Sequence, residues 1–520
     1  MPNRRIPAMH SNVNRIRFAL LILAVAVAMC APNALAQRAA TQWRFGEGAG
    51  LVFHPDGSVT SVFSSPLRTI GGSTSLADRR TGELLFFSDG RTIWDRTDAV
   101  MSGGTEISVE SHGQHVLALR QAGSDRRYAI FTSYKAPDDT SWPLGYFATF
   151  IDLPPSSRGN VTARATRITG SSSEGLTAIR RCDRDGYWVI GRDTAGALLV
   201  WPYDANGIGL VTSHSVGAWS VALWSRDRPA NAWWWGTTRA SVDGRRVAFA
   251  HPSDDSMALV VIVDFDPATG RFADTPAIRI PIDGSVLPGQ AAGADDMSFS
   301  PDGRKLYVTT FIGGRLLQFD VSTNDSLEVA RSRRVIATSS TRMSGLQLGP
   351  DGRTYVATEF EQGLGVIERP DSTGDEARFS IRGVSFPRPT QYSGRNLPNL
   401  VEGDLGLRRI PAPADSMCAG GVVQLRAGWV ANPRWEPAAT VSCTTCLDPL
   451  ASPDSTTTYY LYSGNGGCGP IDSTTVTVFP TPTYRLGGDT LLCPGESTEL
   501  VVSTSASVRW LPSDDLSCTD

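Results

Sequence analysis

The chain has 520 residues, of which 41% are hydrophobic, and its 48 basic and 52 acidic residues leave a formal net charge of −4. This length exceeds that of one ordinary domain and indicates several, each with enough apolar residues for a core. A nearly balanced charge, without a cluster of Lys and Arg, argues against binding to nucleic acid or to an anionic membrane surface.

The N-terminus has the pattern of a secretory signal peptide. Two arginines precede an apolar run at residues 18–31, and an Ala-Leu-Ala tripeptide at residues 34–36 then offers a cleavage site. The run is shorter than the ~20 residues that a membrane-spanning helix needs, and no later stretch reaches that length. We therefore expect residues 1–36 to be a signal peptide and the mature chain to contain no membrane span.

Residues 37–410 consist of short runs of β-branched and aromatic residues between turn signals, a pattern that predicts the strands of a sandwich or a propeller. An x-x-Asp-Gly tetrapeptide recurs between the runs, at residues 54–57, 183–186, 241–244, 300–303 and 349–352. The last three glycines are 59 and 49 residues apart (303 − 244 and 352 − 303), about one four-stranded blade each. Since Asp-Gly supplies a positive-φ hairpin turn, we predict an all-β fold with a β-propeller of about seven blades.

A different repeat begins near residue 411, where the composition shifts to Ser, Thr, Pro and Cys. Three pairs of landmarks are each 75 residues apart (493 − 418, 510 − 435, 518 − 443): Cys418 and Cys493, Trp435 and Trp510, Cys443 and Cys518. A Trp between two cysteines, among alternating strands, is typical of Ig-like sandwiches. We predict an Ig-like or PKD-like module at residues 411–480. A second module starts at residues 481–520, and we expect it to be truncated.

Four cysteines fall within the first of these modules. An exported protein meets an oxidising compartment, so we expect a Cys418–Cys468 bridge and a local Cys443–Cys446 bridge. A four-cysteine zinc site is the alternative, although only the Cys443–Cys446 pair has C-x-x-C spacing. Cys182, alone in the propeller segment, is interpreted as a small buried hydrophobic residue.

No motif in the chain indicates catalysis, a cofactor or a metal. The histidines do not form an H-E-x-x-H spacing, and there is neither a G-x-S-x-G elbow nor a P-loop. We therefore name no catalytic, cofactor-binding or metal-binding residue and expect no cofactor. One aromatic cluster, Trp233, Trp234 and Trp235, fits a sugar-stacking platform or, more often in propellers, core packing.

Several motifs, taken in their order along the chain, resemble an exported Bacteroidetes-type family of propellers with Ig-like or PKD-like repeats. They lie at residues 43–50 (WRFGEGAG), 82–90 (GELLFFSDG), 299–303 (FSPDG), 397–399 (LPN), 435–437 (WEP) and 443–446 (CTTC). The family is gliding-motility-associated-like, with YVTN/WD40-like propellers and type IX secretion. The resemblance implies export and a surface location, and it supplies no catalytic residue.

These expectations favour an exported cell-surface or secreted protein with a binding or scaffold role. The propeller would be the platform for an unknown protein or polysaccharide ligand, the Ig-like modules would form a stalk, and the export machinery would be a further partner. Two alternatives remain open at this point. One is a propeller enzyme such as a lactonase-like hydrolase, and the other is a polysaccharide-binding module.

Overall fold

The computed structural model describes most of the chain, in two compact units that divide after Leu407. Each unit is described by itself. The predicted signal peptide (residues 1–36), Trp233–Trp235 and Cys468 lie outside the described residues. Those residues are 38–108, 114–134, 145–193, 196–214, 237–251, 257–274, 278–283, 293–310, 313–405, 407, 416–427, 433–463, 470, 472–481, 483–488, 491–504 and 508–509.

Seven sheets follow one another along the described part of the first unit, and neighbouring strands within them pair antiparallel. Sheet 1 holds β1 (Gln42–Phe45), β2 (Ala49–Phe53) and β3 (Val59–Ser61), and sheet 2 holds β4 (Thr74–Ala77), β5 (Leu84–Ser88) and β6 (Ile93–Asp95). Sheet 3 holds β7 (Val116–Arg120), β8 (Arg127–Tyr134), β9 (Gly145–Asp152) and β10 (Asn160–Arg167). Sheet 4 holds β11 (Thr177–Arg180), β12 (Tyr187–Arg192), β13 (Leu198–Asp204), β14 (Gly207–Ile208) and β15 (Thr212–His214).

The remaining three sheets have the same meandering order. Sheet 5 holds β16 (Thr238–Ala240), β17 (Arg246–His251), β18 (Met257–Asp266), β19 (Arg271–Phe272) and β20 (Ile278–Asp283). Sheet 6 holds β21 (Ala294–Phe299), β22 (Lys305–Thr310), β23 (Arg315–Asp320) and β24 (Arg334–Thr338). Sheet 7 holds β25 (Met343–Leu348), β26 (Thr354–Thr358), β27 (Gly363–Ile367) and β28 (Phe379–Ser385). The described helices of this unit are short: α1 (Ser326–Arg331) and two 3-10 turns, Gly374–Ala377 and Glu402–Asp404.

The predicted Asp-Gly turns are confirmed. In sheets 4 to 7 the tetrapeptide joins the first two strands, and in sheet 1 it joins the second and third. In sheet 5 the carboxylate of Asp243 accepts from the Ser241 hydroxyl at 2.6 Å and from the Arg245 amide at 3.1 Å. Gly244 then has a φ of 69°, which a residue with a Cβ rarely adopts. The aspartate therefore fixes the turn and the glycine permits it.

Apolar clusters lie between successive sheets rather than within them. Separate clusters join sheets 2 and 3, 3 and 4, 4 and 5, 5 and 6, and 6 and 7. A further cluster joins sheet 7 back to sheet 1, where the ring of Tyr355 lies 5.3 Å from Trp43 and 5.6 Å from Phe53. Each sheet buries its apolar faces against the neighbouring sheets, and the contact of sheet 7 with sheet 1 closes the series into a ring. The first unit is a β-propeller, as predicted.

The second unit has a smaller core around Trp435, which is fully buried with Tyr459 and Leu461. Its strands are β29 (Met417–Cys418), β30 (Val423–Gln424), β31 (Pro433–Glu436), β32 (Leu450–Ala451), β33 (Thr457–Ser463), β34 (Asp472–Val476), β35 (Val478–Phe479), β36 (Tyr484–Leu486) and β37 (Val502–Thr504). β31, β33 and β34 form the largest sheet, β29 pairs β35, and β30 pairs β32. The hairpin of β36 and β37 belongs to the predicted second module. A 3-10 turn lies at Ala438–Thr440.

The cysteines differ from the predicted pairing. Cys418, Cys443 and Cys446 carry free thiols, so the structure holds neither a Cys418–Cys468 nor a Cys443–Cys446 bridge. The Cys446 sulfur faces the carbonyl of Cys443, 3.6 Å away, instead of bonding its sulfur. Cys182 is disulfide-bonded, rather than the small buried hydrophobic residue that we predicted. Among the described residues, no helix is long and apolar enough to cross a bilayer.

Candidate functional site

The centre of the propeller is occupied by the chain itself. We call residues 394–405 the axial segment. The segment begins after β28. The backbone amide of Arg395 donates to the carbonyl of Ile70, just before sheet 2, at 2.9 Å. The carbonyl of Arg395 accepts from the backbone amide of Gly345, in sheet 7, at 2.7 Å. Leu397, Asn399 and Leu405 are at most 2% exposed. Because these bonds reach sheets 2 and 7, at opposite ends of the chain of sheets, we infer that the axial segment crosses the centre of the ring.

Asn399 ties the axial segment to three neighbouring sheets. Its backbone amide donates to the Ser73 carbonyl at 2.7 Å, at the start of sheet 2. Its side-chain oxygen accepts from Gln114 Nε2 at 2.8 Å, beside sheet 3, and its side-chain nitrogen donates to the Leu176 carbonyl at 2.8 Å, beside sheet 4. Gln114 Oε1 in turn accepts from the Thr238 amide of sheet 5, at 2.9 Å. Two buried amide side chains thus link four sheets across the axis.

Arg239 of sheet 5 is the most heavily bonded cation at the axis, with a side chain only 3% exposed. Its guanidinium forms a bidentate pair with Asp296 of sheet 6, at 2.7 and 3.2 Å. It also donates to Gln347 Oε1 and to the Leu346 carbonyl of sheet 7, each at 2.8 Å. Asp296 is satisfied as well, since it accepts from the amides of Met297 and Leu346. Such forked, charge-assisted bonds hold three sheets in register.

Glu402 of the axial segment lies against this network without completing it. Its Oε1 accepts from Gln347 Nε2 at 3.2 Å and lies 4.0 Å from Arg239 Nη1, while its buried Oε2 has no hydrogen-bond partner. Burial raises the pKa of Glu402 to about 7; Arg239 opposes this shift and Asp296 adds to it. One guanidinium faces two carboxylates, so Glu402 takes up a proton near neutral pH.

The two ends of the axial segment are anchored by ion pairs. At its start, Arg395 donates to Glu359 at 2.8 Å, Glu359 lies 3.6 Å from Arg342, and Arg342 pairs with Asp295 at 2.8 Å. Burial raises the pKa of Asp295 to about 6, although Arg342 opposes the shift.

At the other end of the segment, Asp404 accepts from the Tyr187 hydroxyl at 2.7 Å and is ion-paired with Arg180. Burial, followed by the nearby charge of Asp404, raises the pKa of Tyr187, which therefore stays protonated. The side chains of sheet 4 thus secure the segment where it leaves the axis.

The described residues hold no candidate metal centre. None of them form a group of three or more His, Cys, Asp or Glu side chains that could hold a metal ion. His115 is buried next to the Asp89 carbonyl, with 3.1 Å between Nε2 and that oxygen. Whether Trp233–Trp235 form a platform stays a prediction, because they lie outside the described part of the chain.

Sequence reasoning missed the axial residues. In the sequence, the Leu-Pro-Asn motif at residues 397–399 indicates only a family resemblance, and Glu402 and Asp404 stand in an ordinary acidic stretch. The available signal was the pair Asp295 and Asp296 at the start of a strand whose other residues are mostly buried. Buried acids in a strand require a partner, and here the partners are arginines from other sheets.

No protein-family model matches the chain, and no curated protein does. Solved structures with a similar backbone include hydrazine synthase from Kuenenia stuttgartiensis, with 16% sequence identity and a TM-score of 0.36. The alignment covers 64% of this chain and 96% of that chain. A putative 6-phosphogluconolactonase from Bacteroides fragilis has 11% identity and a TM-score of 0.33, covering 61% and 85%. AztD from Citrobacter koseri has 14% identity and a TM-score of 0.33, covering 70% and 87%. All three TM-scores lie below 0.5, so the likeness carries no argument, and the propeller assignment rests on this chain's own sheets.

Proposed function

We propose that this chain is an exported cell-surface or secreted binding or scaffold protein. The observation that carries the proposal is the buried axial segment: among the described residues, Asn399 and Glu402 occupy the axis, where a propeller enzyme would enclose its substrate. Ligands would then meet the loops at the two ends of the ring or the outer strands. Loops on a rigid scaffold are the usual place for such recognition.

The seven described sheets would be the blades of a seven-bladed propeller. Its closure rests on the cluster that joins sheet 7 to sheet 1 and on the axial segment. Residues 411–480 would form an Ig-like or PKD-like stalk, an assignment supported by the buried Trp435 and by the antiparallel β31–β33–β34 sheet. Fold alone does not identify the ligand, which we leave as a protein or a polysaccharide.

Export is supported by two features. Residues 1–36 have the pattern of a signal peptide, and Cys182 is disulfide-bonded. Disulfides persist in extracytoplasmic compartments and are rare in the cytosol. A type IX route and a surface location are part of the proposal through the family resemblance.

The enzyme alternative would need carboxylates at an open axis. The carboxylates of Asp296 and Glu402 are 1% and 4% exposed and are in contact with Arg239 and Gln347. A lactone therefore has no access to them while the segment stays in place. The burial of both carboxylates favours a structural role for them.

The test uses the full chain in two assays. We expect saturable binding to a member of a panel of surface glycans and outer-membrane proteins, and no hydrolysis of sugar lactones above the level of the Glu402→Gln variant. Lactone hydrolysis that is lost in Glu402→Gln, while the variant stays folded, would overturn the proposal in favour of the enzyme. Recovery of the chain from the cytoplasm with residues 1–36 intact would refute export.

A further inference from the structure

The C-x-x-C turn of the second unit holds two thiols that play no part in the proposed binding function. Cys443 and Cys446 lie between the 3-10 turn Ala438–Thr440 and β32. Both are half-buried and both are free thiols. Two cysteines separated by two residues on a turn are spaced for thiol–disulfide chemistry.

The turn is fixed to the core of its own unit rather than projecting from it. The backbone amide of the buried Trp435 donates to the Thr444 carbonyl at 2.8 Å, and its indole N–H donates to the Cys446 carbonyl at 3.0 Å. On the other side, Ser442 and Leu450 exchange hydrogen bonds, of 2.8 Å through the Ser442 amide and 2.9 Å through its hydroxyl. The backbone of the turn that carries both cysteines is therefore held by a packed framework.

The two thiols are not equivalent. Cys443 Sγ lies 3.9 Å from Thr445 Oγ1, and Cys446 Sγ lies 3.6 Å from the Cys443 carbonyl. Hydrogen bonds from the Cys446 thiol and from the Thr445 backbone lower the pKa of Cys443. Burial, followed by the interaction with Cys443, raises the pKa of Cys446. The thiolate is the attacking species in disulfide exchange, so the asymmetry assigns attack to Cys443.

We propose that Cys443 and Cys446 form a reversible dithiol–disulfide couple that exchanges with small disulfides. The Cys443 thiolate attacks one sulfur of the small disulfide, whose S–S bond breaks and releases one thiolate, which takes up a proton. The Cys446 thiol then loses its proton and attacks the Cys443 sulfur, displacing the second thiolate. Two protein thiols are oxidised to one disulfide, and one small disulfide is reduced to two thiols.

A metal site is the less favoured use of the same pair. Zinc takes four ligands in its structural sites, and among the described residues no group of three or more His, Cys, Asp or Glu side chains could hold a metal ion. Two thiols on one turn suffice for a disulfide. The redox proposal does not depend on the ligand of the propeller, so either can fail alone.

In the experiment, the reduced full chain is equilibrated with mixtures of reduced and oxidised glutathione, and the remaining thiols are alkylated. The protein is then digested, and the masses of its peptides are measured by mass spectrometry. We expect the peptide with Cys443 and Cys446 to lose the mass of two hydrogen atoms reversibly, and the exposed single thiols Cys418 and Cys493 to gain a glutathionyl group instead. In Cys446→Ser, Cys443 should keep a glutathionyl group, because the displacing thiol is gone. In Cys443→Ser, Cys446 should react at least about threefold more slowly than Cys443 does in Cys446→Ser.

Two outcomes would overturn the proposal. One is accumulation of glutathionyl groups on both cysteines of the wild-type pair without the loss of two hydrogens. The other is equal reaction rates of the two single variants. Protection of the pair from alkylation by added zinc alone, in the absence of any disulfide, would replace the redox couple with a metal site.

Discussion

The guanidinium of Arg239 and the carboxylate of Glu402 face each other across 4.0 Å at the axis of the propeller without a hydrogen bond between them. Arg239 gives its donors to Asp296, Gln347 and the Leu346 carbonyl. Glu402 is left with one bond, from Gln347, and an unpartnered oxygen. This relationship makes Arg239 a structural cation of the ring and Glu402 its titrating neighbour.

Replacing Arg239 should destabilise the propeller strongly. Arg239→Met leaves Asp296 buried without a counter-charge, and breaking a buried pair in this way typically costs about 3–5 kcal/mol of unfolding free energy. The measurement is the denaturant unfolding midpoint of the full chain. The matched control is Arg80→Met, since Arg80 is 69% exposed in its pair with Asp125 and should cost less than about 1 kcal/mol. Equal effects of the two variants would contradict a structural role for the axial network.

Stability should fall as the pH rises through neutrality because of Glu402. The folded pKa of about 7 lies above the ordinary value of 4.5, so the folded state binds the proton more tightly than the unfolded state. The contribution of Glu402 is therefore complete below pH 4.5 and is lost as the pH rises through 7. Since each pKa unit corresponds to about 1.4 kcal/mol, the full effect is on the order of 3 kcal/mol.

The Glu402→Gln variant isolates the contribution of Glu402 to the pH dependence of stability. Glutamine does not titrate, so the difference in unfolding free energy between the two proteins should change between pH 5 and pH 8, with the wild type losing stability relative to the variant. Asp295, with its pKa raised to about 6, acts in the same direction in both proteins and cancels in the difference. A pH-independent difference would contradict the raised pKa of Glu402 in the folded state.

Removing the Asn399 side chain should loosen the contact of the axial segment with sheets 3 and 4. Asn399→Ala deletes the hydrogen bonds to Gln114 and Leu176 and leaves their buried polar groups unsatisfied. Each unsatisfied group should lower the free energy of unfolding by about 1–3 kcal/mol. Thermal unfolding checks the loss. Asn324→Ala serves as the control, because the exposed Asn324 accepts a single bond from Arg246 and its removal should change the melting temperature little. Similar shifts for both variants would place Asn399 at the surface rather than at the axis.

The junction of sheets 7 and 1 should depend on Trp43. This side chain is fully buried beside Tyr355, so Trp43→Ala should cost about 3–5 kcal/mol through lost packing and a cavity. Phe63→Ala is the matched aromatic control, since Phe63 is 63% exposed. Urea unfolding of the two variants compares them directly. A loss for Trp43→Ala as small as that for Phe63→Ala would mean that the ring does not close through this cluster.

The propeller was predictable from the sequence because its signals are local. Gly244, Gly303 and Gly352 stand in turns whose residues lie side by side in the chain, and the strands that follow them are five or six residues long and contain β-branched and aromatic residues. The axial segment was not predictable in this way. Thr74 and Asn399 are hydrogen-bonded across 325 residues, and Arg180 and Asp404 across 224. No short-range pattern records such a pairing.

The cysteines show the same limit. A disulfide forms only where the fold brings two cysteine Cβ atoms close together. The repeat at Cys418 and Cys443 gives the spacing of the cysteines along the chain but not their distance in the fold. Cys182 lies far from the other mature cysteines in sequence, yet it is disulfide-bonded.

Hydrogen–deuterium exchange of the peptide that spans residues 396–404, in the native full chain, tests most directly whether the chain fills its own propeller axis. We predict that the amides of Asn399 and Asp404, which donate to the carbonyls of Ser73 and Val401, exchange as slowly as those of the buried strand β25. Exchange as fast as that of the exposed turn around Gly57 would contradict the filled axis and would reopen the channel to a substrate.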